Sequence, residues 1–330
     1  MNPVVERLAG PISADNPCGE SLEDTQLLAS FDAYRVFGQM TPPEGDINWR
    51  EIRDKALEGL EQSRDLRLLA HLGAATLRTD GLAEFCGVLA VASRWFENFP
   101  EQVFPRVDED AILRKNALNC FADRMAMIDA VRRQPFVSNP QLGAFALRHF
   151  EIAAGKLAAS EADGEPPNAT HLTATLNGAD AEQLGSMEAC LGAAVAGLGQ
   201  VSSAMRDANG IEAAPDFDPL LLPLEQMRRT LADELAARAA AAAPAGEDAA
   251  PGAEAGGAVI GVGSIRSRDD AIRALDAVAN FFRKNEPSSP VPMFVERAKR
   301  LVALDFLAVL ADIAPDGLDQ ARRMGGVRDE

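Results

Sequence analysis

Apolar residues recur along the first part of the chain at the spacing of amphipathic helices. The first apolar stripe consists of Trp49, Ile52, Ala56, Leu57 and Leu60. The same spacing continues over residues 66–77 and 82–96, and it predicts a fourth helix from Glu109 to Arg133. The inward positions expected on this fourth helix are Leu113, Ala117, Cys120, Phe121, Ile128 and Val131. Together these helices predict a helical N-terminal domain over residues 1–134.

A second apolar seam follows a connecting stretch in which one short helix is expected near Leu147 to Lys156. Steps of three and four residues join Leu184, Met187, Leu191, Ala194, Leu198, Val201 and Met205. The rule resumes after a turn at 215–219, with Leu220, Leu224, Met227 and Leu231. The seam predicts a long antiparallel helical hairpin within a middle helical region at 135–235. A coiled coil between two chains would satisfy the same spacing.

Two segments lack this periodicity. Residues 11–48 contain scattered proline and glycine, so they predict an irregular arm with one helix from Glu23 to Phe37. Residues 236–263 are mostly alanine, glycine and proline, with few charges and almost no large apolar side chains. Such a composition cannot offset the entropy of ordering the chain, and it predicts a flexible linker.

Residues 264–330 predict a small helical C-terminal domain. Ser267 and Asp270 have the spacing of a capping box at the start of its first helix, which ends near Asn285. Two further helices are expected at 293–304 and 306–314. Alanine and leucine are abundant and aromatic residues make up 5% of the chain, which favours helices over sheets. The predicted fold class is therefore all-α, with almost no sheet.

Charge is distributed unevenly along the 330 residues. The formal net charge is −18, and the whole acidic excess lies in residues 1–263 because the remainder contains equal numbers of acidic and basic side chains. An acidic chain repels nucleic acid and anionic lipid, so we expect neither as a partner. The start of the chain lacks a basic and apolar leader, and no apolar run reaches the ~20 residues of a membrane span. These features predict a cytoplasmic protein without membrane insertion.

The side chains that usually carry chemistry are scattered. The chain has four cysteines, Cys18, Cys86, Cys120 and Cys190, and three histidines, His71, His149 and His171. None of them has the spacing of a metal site, and the cysteines read as free thiols in a reducing compartment. Gly261 and Gly263 open a dinucleotide-type loop, but Arg266 occupies the position of its third glycine. We therefore expect no catalytic residues, no metal and no cofactor.

The C-terminal domain contains more apolar groups than a module of this size can easily bury alone. The predicted oligomer interface consists of Phe281, Phe282, Pro287, Pro290, Val291, Pro292, Met293 and Phe294, with Arg297 and Arg300 as pairing charges. The alternative is that Phe282 and Val295 fill the core of each module. A neutral domain on an acidic body can self-associate without charge repulsion, although the charge difference could also be a local accident of composition.

Two groups of motifs resemble one known family. The N-terminal motif residues are Pro17, Cys18, Gly19, Trp49, Asp65, Leu66 and Arg67. The C-terminal run Phe282-Arg283-Lys284-Asn285-Glu286-Pro287-Ser288-Ser289-Pro290-Val291-Pro292 is the more specific of the two. In order and spacing they resemble the TssA family of the bacterial type VI secretion system, which is defined by an ImpA N-terminal domain. The run Arg94-Trp95-Phe96 departs from the family, which commonly has a Tyr-Trp-Asp-like sequence there.

The resemblance implies a non-enzymatic scaffold that forms a ring through residues 264–330 and contacts baseplate, sheath and inner-tube proteins. Two other interpretations stay open at this point. The chain could be a soluble accessory relative that caps or stabilises the sheath, or a general helical adaptor.

Overall fold

A computed structural model describes residues 3–40, 47–107, 111–160, 163–242, 268–285 and 290–302 of the chain. The chain divides into two compact units, Met1–Ala245 and Gly246–Glu330. The first unit contains α1 (Pro3–Leu8), α2 (Gln26–Ala29), α3 (Trp49–Leu60), α4 (Leu66–Thr79), α5 (Leu82–Asn98), α6 (Ile112–Asn119), α7 (Asp129–Arg133), β1 (Pro135–Asn139), β2 (Gly143–Ala146), α8 (Leu147–Ala153), α9 (Ala169–Gly178), α10 (Ala181–Asn209) and α11 (Asp218–Ala242). The second unit contains α12 (Arg268–Asn285) and α13 (Val291–Val302).

Helices α3, α4 and α5 form the centre of the first unit, as the apolar stripes predict. Helix α4 packs on α3, α5 and α6, and most of its residues are buried because it lies between them. The Asn48 side chain caps α3 by accepting from the Glu51 amide, and Gly81 precedes α5 with a positive φ. The largest buried side chain of this core, Trp95, donates its Nε1 hydrogen bond to the carbonyl of Leu8 at 2.8 Å. That bond fixes α1 to α5.

The helical hairpin is formed within one chain. Helices α10 and α11 pack along each other, and the Arg228 guanidinium reaches Glu188 at 3.3 Å while Arg238 donates to the carbonyl of Ala179 at 2.9 Å. The residue number therefore increases along one helix as the number of its contact partner decreases along the other, so the hairpin is antiparallel. Nearly all the predicted seam positions are buried, including Leu191 and Leu231. Helix α10 also packs against α5, so the boundary predicted at residue 134 lies inside this compact unit and remains a prediction.

The protein is mainly helical, but the expectation of an all-α fold needs one correction. Strands β1 and β2 form an antiparallel hairpin in which Val137 pairs with Phe145 and Asn139 with Gly143. Phe136 and Val137 are buried on this hairpin, and Gly143 adopts a φ of 103° at its turn. Aromatic and β-branched side chains therefore support strands in a stretch whose prolines indicated only a connector.

Two predicted helices are shorter or broken. The helix expected from Glu23 to Phe37 is α2 followed by a 3₁₀ turn at Asp32–Tyr34. The helix expected from Glu109 to Arg133 is interrupted at Asp123, whose backbone is extended and whose carboxylate accepts from the amides of Met125 and Ala126. This cap begins a π-helical turn at Arg124–Ile128 that leads into α7.

Other differences concern individual positions and ends. Leu113 is 59% exposed although it was expected to point inward, and the neighbouring Arg114 is buried in its place. Helix α8 ends at Ala153, and α11 continues to Ala242, which extends helical structure into the segment predicted as a linker. The rest of that linker and the third predicted helix of the C-terminal domain lie outside the described residues.

In the described part of the second unit, α12 and α13 pack against each other. Ala279 and Val295 are buried between the helices, as expected if Val295 belongs to the module's own core. Ion pairs join the two helices at Arg283 with Glu296, 2.7 Å apart, and at Lys299 with Asp276. Pro292 stands in the first turn of α13, where a helix tolerates proline because its amide needs no partner.

Candidate functional site

The N-terminal motif residues Pro17, Cys18 and Gly19 fix the irregular arm to the loop before α4. The Arg64 amide donates to the carbonyl of Cys18 at 2.8 Å, and the Glu20 amide donates to the carbonyl of Gln62 at 3.1 Å. Gly19 has a φ of 70°, and a Cβ there would lie 2.1 Å from the carbonyl oxygen of Gln62. Only glycine fits this crossing, because both its backbone conformation and its space exclude a side chain.

Asp65, Leu66 and Arg67 form the other side of the same junction. The buried Asp65 carboxylate caps α4 by accepting from the Arg67 amide at 2.8 Å, and it also pairs with the Arg67 guanidinium. Arg67 reaches on to Glu23 of the arm at 2.8 Å, and the Leu66 amide donates to the carbonyl of Phe104. The motif thus joins the arm, the start of α4 and the loop after α5.

Trp49 lies away from this junction, at the far end of α4. The Arg78 guanidinium stands 4.0 Å from the centre of the Trp49 ring, and it donates to the carbonyl of Ala126 at 2.8 Å. Burial lowers the pKa of Arg78 to about 10, although Asp129 and Asp123 oppose the shift. Trp49 therefore covers a partly buried cation that holds the π-helical turn to α4.

Two buried arginines complete the junction, and neither was identified as a site residue from the sequence. Arg64 donates to the carbonyl of Gly10 at 2.9 Å. Arg114 donates to the carbonyls of Pro105, Pro100 and Val103 at 2.7, 2.7 and 2.6 Å. Burial lowers the pKa of both groups, and it raises the pKa of the nearby Cys18 thiol to about 11. Arg114 lies on the apolar side of α6, which is its only sequence signal, whereas Arg64 lies in the loop before α4, next to the motif residue Asp65.

The described part of the predicted oligomer interface is largely exposed. Met293 is 66% exposed and Phe294 is 61% exposed, side by side in the first turn of α13. The remaining described members fall into two groups: Pro290, Arg297 and Arg300 are exposed, while Phe282, Val291 and Pro292 are half-buried. The side chain of Phe281, and Pro287 as a whole, lie outside what the structure describes. Met293 and Phe294 therefore form an exposed apolar surface on the second unit.

The residues of the N-terminal junction lie in a segment that matches a known protein family. Residues 9–123, which contain all the N-terminal motif residues, match the family described as ImpA, N-terminal, type VI secretion system. The chain is also 28% identical to the type VI secretion system component TssA1 of Pseudomonas aeruginosa, over 98% of both proteins. The chain is therefore similar to a TssA protein along nearly its whole length. The resemblance drawn from the sequence motifs is thereby confirmed.

A similar fold is found in a solved structure. The N-terminal domain of the TssA component from Burkholderia cenocepacia, which includes the conserved ImpA_N region, matches with a TM-score of 0.55. The two chains are 20% identical, and the match covers 72% of this chain and 96% of that one. It shows that the helical architecture is shared.

Two further observations concern metal binding and membrane insertion. Within the described ranges, no three histidine, cysteine, aspartate or glutamate side chains come close enough to hold a metal ion. Helix α10 is long and apolar enough, by length and composition alone, to cross a membrane. Its large apolar side chains face α5 and α11, however, and Glu182 and Glu188 lie within it, as in the core helix of a helical hairpin.

Proposed function

We propose that this chain is a non-enzymatic assembly component of a bacterial type VI secretion system, which acts in the cytoplasm. In this proposal it forms a ring through residues 264–330 and presents its first unit to baseplate, sheath and inner-tube proteins. The observation that carries the proposal is the similarity to a TssA component along 98% of both chains. Similarity to a structural component rather than to an enzyme supports the non-enzymatic role.

The exposed start of α13 supports self-association. Burying one large apolar side chain contributes about 1.5 to 3 kcal/mol, so Met293 and Phe294 together offer several kcal/mol at each contact between copies. Arg297 and Arg300, one and two turns further along, can pair with acidic groups at the rim of such a contact. If the contact is head-to-tail and its rotation closes, it is repeated around a ring and gives each copy two neighbours.

A ring would also explain why the chain has two compact units. Several first units held on one ring raise the local concentration of each weak contact with a growing sheath or baseplate. The alanine- and glycine-rich sequence between the units predicts a flexible linker. Such a linker would let the first units bind partners whose symmetry differs from that of the ring.

The first test is the mass of the protein in solution. Light scattering after size-exclusion chromatography compares the full chain with a chain that ends at Gly263. The expected result is a high-order oligomer for the full chain and a monomer or dimer for the truncated one. A monomeric full chain contradicts the ring, and an unchanged oligomer after truncation places self-association in residues 1–263.

A point variant tests the surface itself. Replacing Met293 and Phe294 together by serine is expected to dissociate the oligomer. The matched control is Leu222→Ser, which removes a leucine that is 71% exposed on α11 of the first unit. Equal oligomers in both variants would show that the start of α13 is not the contact.

A further inference from the structure

Helices α5 and α10 approach closely along a seam of small residues. A Cβ placed on Gly197 of α10 would lie 3.1 Å from the Cβ of Ser93 on α5. The Ser93 hydroxyl donates to the side-chain oxygen of Gln200 at 2.8 Å, which ties the two helices together at this level. The seam is tight here because neither position carries a large side chain.

Two cysteines occupy the same seam seven residues earlier on each helix. Cys86 precedes Ser93 by one heptad, and Cys190 precedes Gly197 by the same interval, so the two helices run parallel and bring these residues face to face. The two thiols are therefore close enough to influence each other's ionisation. The Cys190 thiol in turn contacts the carbonyl oxygen of Ala83, one turn before Cys86, at 3.5 Å.

The two sulfurs differ in access to solvent. Cys86 is 2% exposed, whereas Cys190 is only half-buried and lines an open groove of about 1040 Å³ between α5, β1 and α10. Met187 and Phe136 line the same groove and give it an apolar wall, while Glu84 stands at its edge. A small oxidant in the groove therefore reaches Cys190 first.

The electrostatic surroundings favour the same order. The hydrogen bond from Cys86 lowers the pKa of Cys190, although burial and the carboxylate of Glu84 oppose this shift. The pKa of Cys86 is raised, first by that hydrogen bond and then by burial. Burial raises the pKa values of Cys18 and Cys120 to about 11, so these thiols are poor nucleophiles near neutral pH.

We propose that Cys86 and Cys190 are a redox-active thiol pair, in which a peroxide oxidises Cys190 and Cys86 then closes a disulfide between α5 and α10. The Cys190 thiolate attacks one peroxide oxygen, which gives a sulfenic acid and releases the other oxygen as water. The Cys86 sulfur then attacks the sulfenic sulfur, and the hydroxyl leaves as a second water. The two sulfurs together lose two electrons and two protons, and these reduce one peroxide to two waters.

The disulfide would be a covalent link between two parts of the chain that otherwise meet through packing and hydrogen bonds such as that from Ser93 to Gln200. Helix α5 belongs to the region that matches the ImpA N-terminal family, and α10 is the first half of the long hairpin. The bond would fix the wall of the groove and hold the hairpin against that region. This inference concerns the first unit and does not depend on the ring.

The test uses the full wild-type chain, so no variant has to fold. Reduced protein is treated with a small excess of hydrogen peroxide, the remaining thiols are blocked with N-ethylmaleimide in denaturant, and unreduced peptides are analysed by mass spectrometry. We expect a linked peptide pair that contains Cys86 and Cys190 and disappears on reduction. Cys190 should lose its reactivity toward maleimide at least ~10-fold faster than Cys18 or Cys120.

Variants separate the two roles. In Cys86→Ser, Cys190 should proceed to the sulfinic acid because no thiol resolves it, while Cys190→Ser should leave Cys86 reduced. Cys120→Ser is the matched control, and it should form the disulfide like the wild type. Sulfinic acid at Cys190 without any linked pair in the wild type, or oxidation of Cys120 at the same rate, would overturn the proposal.

Discussion

Arg114 offers a direct measure of how strongly one buried side chain holds the loop after α5. It is 4% exposed, and its guanidinium makes short hydrogen bonds to three carbonyls of that loop, those of Pro105, Val103 and Pro100, and a longer one of 3.5 Å to the carbonyl of Glu101. No carboxylate appears among these hydrogen-bond partners, so the loop backbone itself satisfies the cation. Methionine at this position would keep most of the stem's packing but remove every donor.

The loss of stability in Arg114→Met follows from the backbone carbonyls that lose their hydrogen-bond donor. The bonds to Pro105 and Val103 are buried, and a buried carbonyl left unpaired costs about 1 to 3 kcal/mol. The carbonyl of Pro100 is closer to the surface, where water can replace the guanidinium. Relief of the cost of burying the cation offsets part of the loss. Arg114→Met should therefore reduce the free energy of unfolding by about 3 kcal/mol, and Arg114→Lys by less, since an ammonium cannot span all three carbonyls.

Urea unfolding followed by tryptophan fluorescence measures this difference. Both tryptophans, Trp49 and Trp95, lie in the first unit, so the signal reports on that unit alone. Arg106→Met is the matched control, because Arg106 is exposed and only approaches the Phe104 ring at 5.0 Å. It should cost less than about 1 kcal/mol. Equal losses in the two variants would refute the view that the carbonyl contacts of Arg114 hold the loop.

Two further predictions concern His71 and Gly19. Burial lowers the pKa of His71 to about 4, so the folded state resists a proton that the unfolded state accepts below about 6.5. Stability should fall by about 2 kcal/mol from pH 7 to pH 5 through this group, and His71→Phe should remove that part of the slope in urea titrations at the two pH values. Gly19→Ala should cost more than Gly38→Ala, measured by thermal unfolding: both have a positive φ, but only Gly19 has a carbonyl, that of Gln62, in the way. Equal losses for the two alanines would show that backbone conformation alone accounts for the effect.

The sequence was sufficient where large apolar residues recur with a helical period. The stripe from Trp49 to Leu60 and the seam from Leu184 to Met205 both correspond to observed helices, because burying such residues on one face is the main source of helix stability in a folded protein. The periodic pattern also located the turn of the hairpin between Met205 and Leu220, although the turn lies at 210–217, slightly before the predicted 215–219.

Periodicity failed where a polar group controls the backbone. Residues 109–133 carry a near-continuous apolar pattern, yet Asp123 caps a new turn and also accepts from the amide of Gly38 at 2.8 Å. That second bond joins residues far apart in the chain, so no local pattern can show it. The exchange of Leu113 for Arg114 as the inward residue has the same origin, since the guanidinium satisfies carbonyls contributed by a different segment.

The seam between α5 and α10 shows a different limit. The heptad spacing of leucine, valine and methionine indicates only the face of α10 that packs on α11. The second face is formed by Cys190 and Gly197, whose small side chains give almost no hydrophobic signal but allow α5 to approach closely. Two helix backbones can approach closely only where the side chains between them are small. For this reason the sequence indicated a hairpin with one partner, whereas α10 is a central helix with two, and its second contact is the one that aligns two thiols.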